Sequence, residues 1–215
     1  MKNLLFKDFR LAMHPTVFLF WLLSAMLLIP NYPYYVILFY STLSLFFVCL
    51  GGRENRDIEF SLMLPVRKRD TVRARICFAV ISQAVQLIAA IPFAFLRQTM
   101  PLGGNQVGMD ANIAFFGLAL LLLGIFNLQF FTAYYRAPEK VGKTFAASSV
   151  TVFIVIAIFE TLTHALPFFR QRLDTTDPAF LPEKLAVLGI GLLAYILLTF
   201  ISCRISEKRF EALDI

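Results

Sequence analysis

Six apolar stretches dominate the chain, at roughly 15–29, 34–50, 76–96, 112–131, 146–166 and 185–203, with short polar segments between them. A helix needs about 20 apolar residues, within a range of about 17–25, to cross the hydrocarbon core of a bilayer. The first run is short by that measure, and is expected to borrow residues 11–13 or to sit in thinned bilayer. The segment Pro30–Pro33, reading PNYP, leaves room only for a tight turn, so the first two spans form a helical hairpin. The pattern predicts an all-α integral membrane protein with six transmembrane helices in one membrane domain, residues 1–215.

Ahead of the first run, Asn3, Lys7, Arg10 and His14 recur at spacings of 4, 3 and 4, which places them in one polar stripe on a helix. Leu5, Phe9, Ala12 and Met13 lie off it. Residues 1–14 therefore read as an interfacial helix, with its apolar side in the headgroup region and its basic residues facing water. Pro15 biases His14 away from helix and provides an elbow into the first span. The alternative is a single long tilted span over residues 4–29. Asp8, and the lack of a small-residue cleavage site, make this a retained segment and not a removed signal peptide.

Composition agrees with the pattern. The chain has 215 residues, is 59% hydrophobic and only 16% charged, and contains 24 Phe. A soluble domain carries about a quarter charged residues. The net charge of +6 raises the question of nucleic acid, but the basic residues fall by topology. With six spans, 16 of the 20 Lys and Arg lie on the side that holds the termini and the 51–75 loop. Arg97, Arg170, Arg172 and Lys184 lie on the other. The richer side is cytoplasmic, so both termini, including the tail 204–215, are placed in the cytoplasm of a multi-pass plasma-membrane protein. No nucleic-acid partner is implied. Cys49, Cys77 and Cys203 form neither a metal-ligand spacing nor an even set, and suit free thiols near cytoplasmic helix ends.

Catalysis has no residues to work with. His14 and His164 are the two histidines, there is no HExxH or Cys/His cluster, and no metal site is expected. Nor is there a Gly-x-Ser-x-Gly elbow. Ala137–Thr144, reading APEKVGKT, ends like a phosphate-binding loop but has Ala137 where that motif needs Gly, and it precedes a span. Any ATP chemistry must come from another polypeptide. Polar residues inside spans are the remaining pointers. Gln83 and Gln86 share a face of the third span, Asn127 and Gln129 lie in the fourth, and Glu160 and His164 are four apart in the fifth. For the amides, interhelical hydrogen bonding competes with lining a path. Glu160 and His164 are candidates for mutual pairing or a gate.

The largest charge cluster is residues 51–75, GGRENRDIEFSLMLPVRKRDTVRAR, between the second and third spans. Before Pro65, Ile58, Leu62 and Met63 form one side of a helix and Arg53, Glu54, Asp57 and Ser61 another. Leu64–Pro65 breaks it. Asp70 then caps a helix running into the third span. The predicted form is a V-shaped cytoplasmic protrusion with Arg67, Lys68 and Arg69 at its tip. A basic loop held by anionic lipid explains those three residues. It leaves the acidic, patterned helix ahead of them without a purpose, and that helix fits a docking element for a soluble partner.

The N-terminal LLFKDFRL, the two following spans and the ENRDIEFSLMLPVRKRDTVRAR segment resemble the permease subunits of type-2 ABC exporters, in particular small six-span bacterial ones. The motif positions are Glu54, Glu59, Leu64, Pro65, Val66, Lys68 and Val72, and the basic closing stretch ISCRISEKRFEALDI is similar as well. Arg67 stands where that family has a small hydroxyl residue. The resemblance implies a homo- or heterodimer of permeases, each resting a coupling helix on a separate ABC ATP-binding subunit that binds ATP and Mg, with no cofactor in this chain. Residues 54, 57 and 59 would pair with basic groups of that subunit or hold the protrusion to its neighbours, and Pro65 to Asp70, including Val66, would form the turn. It further implies export of a hydrophobic or amphipathic cargo, such as a peptide, lipid or drug. A self-contained channel or secondary carrier, and a non-transporting immunity or assembly protein, are the other classes open to such a chain.

Overall fold

The computed structural model describes residues 2–13, 15–101, 103–175 and 177–213, and every regular element among them is helical. Helix α1 (Lys2–Lys7) continues through a π-helical turn, Asp8–Ala12, and ends where Met13 turns extended. Helix α2 (Thr16–Leu22) tightens into a 3-10 segment, Leu23–Leu28. Then come α3 (Val36–Glu54), α4 (Asp57–Met63), α5 (Lys68–Thr99), α6 (Ile113–Tyr134), α7 (Val141–Ala165) and α8 (Leu181–Glu211). Single turns lie at Pro138–Lys140, Phe169–Leu173 and Pro178–Phe180.

Among the described residues, five helices are long and apolar enough to cross a membrane, namely α3, α5, α6, α7 with its preceding turn, and α8. The first apolar run differs from the rest. Thr16–Leu28 is only 13 residues long, and its mixed α and 3-10 geometry gives a rise of about 22 Å, against a hydrocarbon core of about 30 Å. Ile29 leaves it in an extended conformation, and Pro30 and the left-handed Asn31 (φ 54°) turn the chain. Contacts to α5 show how far this part of the chain travels. Asp8 meets Arg75 at 3.2 Å, Trp21 Nε1 donates to Ser82 Oγ, Gln86 Nε2 donates to Ser24 Oγ at 2.8 Å, and Arg97 Nε donates to Tyr34 Oη at 2.9 Å. Residues 8–34 thus run alongside α5 from 75 to 97, a rise of about 33 Å.

Helices α6 and α8 approach at glycine. A Cβ on Gly191 would lie 2.0 Å from the carbonyl oxygen of Gly117, and one on Gly117 would lie 2.6 Å from that of Val187. Small residues at such a crossing let two backbones touch, which is how helices associate where lipid removes the hydrophobic drive. Aromatic rings fill the interior, with Phe46 stacked on Phe145 at 4.5 Å and Phe126 on Phe130 at 5.0 Å. Apolar side chains also cover the outside of the long helices, among them Ile88 and Phe95 of α5, Val150 and Ile158 of α7, and Leu193 and Leu197 of α8. That is a surface suited to hydrocarbon.

The N-terminal helix forms, but its polar stripe does not face water as a whole. Arg10 is exposed, whereas Lys7 turns inward to Asp57 and Ser61 at 2.7 Å each. A buried carboxylate needs a cation more than water needs the lysine. His14, the last member of the stripe, lies outside the described residues, as do Asp214 and Ile215 of the tail. Both ends of the described chain sit at the same end of the bundle, because α1 reaches Arg75 while the end of α8 reaches Arg69 and Arg73.

Candidate functional site

The segment between α3 and α5 lies at that end, where Asp57 meets Lys7 and Arg75. Helix α3 continues past its apolar part to Glu54 and stops at Asn55 and Arg56, whose left-handed backbone (φ 51°) redirects the chain. Helix α4 starts afresh at Asp57. The patterned helix expected over residues 53–64 is therefore two pieces, since a residue with positive φ cannot continue a right-handed helix. Leu64 is extended ahead of Pro65, as the proline requires. Asp70 does not cap α5. Arg67 occupies the capping position in extended form, its carbonyl accepts the Asp70 N–H at 2.9 Å, and Asp70 lies inside the first turn, where a carboxylate favours the positive helix end.

The inner face of α4 is locked by charge. Asp57 accepts from Arg75 at 2.5 Å and from Lys7 at 2.7 Å, and Asp8 lies 3.2 Å from Arg75. Two cations and two anions, all with side chains 15% exposed or less, form a neutral cluster joining α1, α4 and α5. Burial raises the Asp8 carboxyl above its ordinary range even though Arg75 and Lys7 pull it down. Ser61, fully buried, donates to the Asp57 carbonyl. The expected apolar side also divides. Ile58 and Leu62 pack on the core, but Met63 is 82% exposed, because the arc shared by Asp57 and Ser61 was the one drawn inward.

The outer face carries exposed Phe60, Met63 and Leu64. Glu54 and Glu59 stay exposed, with Arg53 and Arg56 as loose neighbours at 3.8 and 3.9 Å. A cleft between this helix and residues 138–139 is lined by Arg53, Arg56, Ile58, Glu59, Tyr134 and Glu139. Past Pro65 and Val66, Arg67 is exposed. Lys68 donates to the Leu213 carbonyl, Arg69 meets Glu211 at 2.5 Å, and Arg73 meets Glu207 at 2.6 Å.

Deep in the bundle, Gln83 and Asn127 exchange amide hydrogen bonds at 2.7 and 3.0 Å. Tyr195 Oη donates to Gln83, Asn127 Nδ2 to Thr199 Oγ1, and Ser202 Oγ to the Asn127 carbonyl. Gln86 pairs separately with Ser24, and Gln129 sits at the surface over the Ala147 carbonyl. Glu160 and His164 are not bonded to each other. The Glu160 carboxylate lies against Gly108, where an added Cβ would come within 1.6 Å of it, and His164 Nε2 meets the Val107 carbonyl at 3.0 Å. Among the described residues no group of His, Cys, Asp and Glu is placed to hold a metal.

Residues 3–211 match the family described as ABC-2 family transporter protein. The chain belongs to that family. Searches of curated proteins and of solved structures found no match. An ABC-2 transporter domain is the membrane part of a transport system, and the long apolar helices of this permease serve that role. At the end of the permease opposite the protrusion, Arg97 also donates to the Gly103 carbonyl, and Asn112 donates to that of Leu173. Asp174 accepts the Asp110 N–H at 2.7 Å. Burial pushes its carboxyl up to about 6, against that hydrogen bond.

Several of these partners are not marked in the sequence as such. There Lys7 belongs to the polar stripe of the N-terminal helix, Asp8 to a retained N-terminal segment, Arg75 to the basic side of the membrane, and Glu207 and Glu211 to the closing stretch. A signal was present, since Glu207 and Glu211 are four apart and so are Arg69 and Arg73. Tyr195, Thr199 and Ser202 likewise form a polar stripe at helical spacing in the last span.

Proposed function

We propose that this chain is the permease subunit of an ATP-driven exporter. It works as a homo- or heterodimer with an ABC ATP-binding subunit that carries ATP and Mg, and it moves a hydrophobic or amphipathic cargo out of the cytoplasm. The observation that carries the reading is the protrusion itself. Its inner face is used up by the Lys7–Asp8–Asp57–Arg75 cluster, while Phe60, Met63, Leu64, Glu54 and Glu59 are left facing outward. Exposed apolar side chains beside exposed, loosely paired carboxylates are the ingredients of a partner surface. In this reading Asp57 holds the protrusion, Glu54 and Glu59 meet the partner's basic groups, and Pro65, Val66 and Arg67, with Lys68, Arg69 and Asp70 of the first turn of α5, form the tip that seats on it.

Six crossings go with this reading. Residues 8–34 travel the height of α5 although their helix is short, and termini at one end require an even number of crossings. The basic residues put that end in the cytoplasm, with Phe6 and Arg10 of the N-terminal helix exposed to the lipid headgroups. Gln83, Gln86 and Asn127 act as interhelical glue, which leaves Gln129, Glu160 and His164 for the cargo path or its gate.

The test is association. The tagged permease is purified with its ATP-binding subunit, and Glu54→Ala and Glu59→Lys are compared with the wild type. Each is expected to weaken association by about tenfold, or about 1.4 kcal/mol, without changing the permease's melting temperature. Survival of both association and transport in these variants would sink the docking assignment. Transport by the purified chain alone would instead establish a self-contained carrier.

A further inference from the structure

Helices α5 and α8 run antiparallel and keep one register from the bilayer interior to the cytoplasmic end. Tyr195 Oη donates to Gln83 at 2.7 Å, Arg73 Nε to Glu207 at 2.6 Å and Arg69 Nε to Glu211 at 2.5 Å. Lys68 adds a bond to the Leu213 carbonyl. The lower two pairs match because both helices repeat their charges every four residues, so two carboxylates face two guanidiniums. Glu207 is the inner member, with a side chain only 5% exposed. It also lies 3.8 Å from Arg204 and takes the Cys203 thiol. The same end of α8 is fixed to α6, where Arg209 donates to the Thr132 carbonyl and buried Phe210 packs on Tyr135 at 5.2 Å.

Arg69 and Arg73 sit in the first two turns of α5, directly after the Leu64–Pro65 tip. We propose that Glu207 and Glu211 are positioning residues for coupling. They clamp the last span onto the returning limb of the protrusion, so that a push on the tip moves α5 and α8 as one body. This rests on the permease reading above. It adds that a segment far from the tip in sequence, the end of α8, determines how that push is transmitted. Without the clamp, the tip would bend on α5 and the motion would be lost before reaching the bilayer.

The clamp is tested in two ways. In the permease alone, hydrogen exchange at backbone amides of residues 70–75 is followed in wild type and in Glu207→Gln with Glu211→Gln. Exchange about tenfold faster is expected, since losing the ion pairs to Arg73 and Arg69 frees the limb locally. Unchanged exchange overturns the clamp whether or not an ATP-binding subunit docks. In the complex, affinity for the ATP-binding subunit is measured beside the permease-dependent part of ATP turnover. Glu207→Gln is expected to lower that turnover about fivefold while affinity changes by less than about twofold. A structural defect would move both together.

Arg73→Gln should act in the same way, and the double variant should be no worse than the poorer single. Glu211→Gln, on the more exposed pair, carries little risk to folding and should lower turnover by about twofold. Wild-type turnover in all these variants, or effects that multiply in the double variant, would overturn the proposal. Failure of the wild-type chain to bind any ATP-binding subunit would count against the docking reading and leave the exchange result to decide the clamp.

Discussion

Arg75 shows how a single residue changes meaning between sequence and structure. In the chain it is one more cation on the basic side of a membrane protein. In the fold it lies buried between Asp8 and Asp57, at 3.2 and 2.5 Å, and joins three helices. Removing Arg75 leaves two buried carboxylates, Asp8 and Asp57, sharing the single cation Lys7. Arg75→Ala is therefore expected to cost about 3–5 kcal/mol, read as a lower midpoint in thermal unfolding in detergent. A thiol-reactive dye that reports exposure of the buried Cys49 would follow it. Lys7→Ala touches the more accessible edge and should cost less. Nothing in the spacing of Asp8, Asp57 and Arg75 marks them as partners, because they are brought together only when α1, α4 and α5 pack.

At the scale of elements, the crossing of α6 and α8 depends on Gly117 and Gly191. A methyl group at 191 would overlap the Gly117 carbonyl at 2.0 Å, and that oxygen belongs to backbone that cannot swing aside. Gly191→Ala should force the helices apart, with a cost of about 1–3 kcal/mol by analogy with overpacked cores. It should also weaken the Asn127–Thr199 and Ser202 bonds, which sit on the same interface. Thermal unfolding beside Gly189→Ala, where an added Cβ meets nothing within 4 Å, is the control. The long helices were readable from apolar length alone. The protrusion was readable as helix, break and helix from Leu64–Pro65, but its extra break was not. Arg56 adopts positive φ without being Gly or Asn, so no local preference announces it.

For the whole molecule, the question is how many times the chain crosses. Five helices are long enough and a sixth segment is short, yet both ends of the described chain meet at one end of the bundle. Single cysteines at Asn3 and Gln106, both exposed, should label from opposite sides of the membrane, because the short first segment, α3 and α5 all cross between them. In intact cells an impermeant maleimide is expected to reach residue 106, whereas residue 3 should react only after permeabilisation. Labelling of both from one side would refute the six-crossing topology and, with it, the cytoplasmic placement of the protrusion.

That the chain is a helical membrane protein, and that a charged segment broken at Leu64–Pro65 divides its apolar runs, was legible along the chain itself. Those properties follow from apolar length, charge bias and proline, each of which acts locally along the chain. Packing sets which face of the protrusion is free, because that depends on Asp57 finding Lys7 and Arg75. It also decided that Gln83 and Asn127 satisfy one another, and that Glu207 and Glu211 meet Arg73 and Arg69 across more than 130 positions of chain. A buried charge or amide is held by whichever partner packing delivers, and spacing along the chain does not reveal that partner in advance.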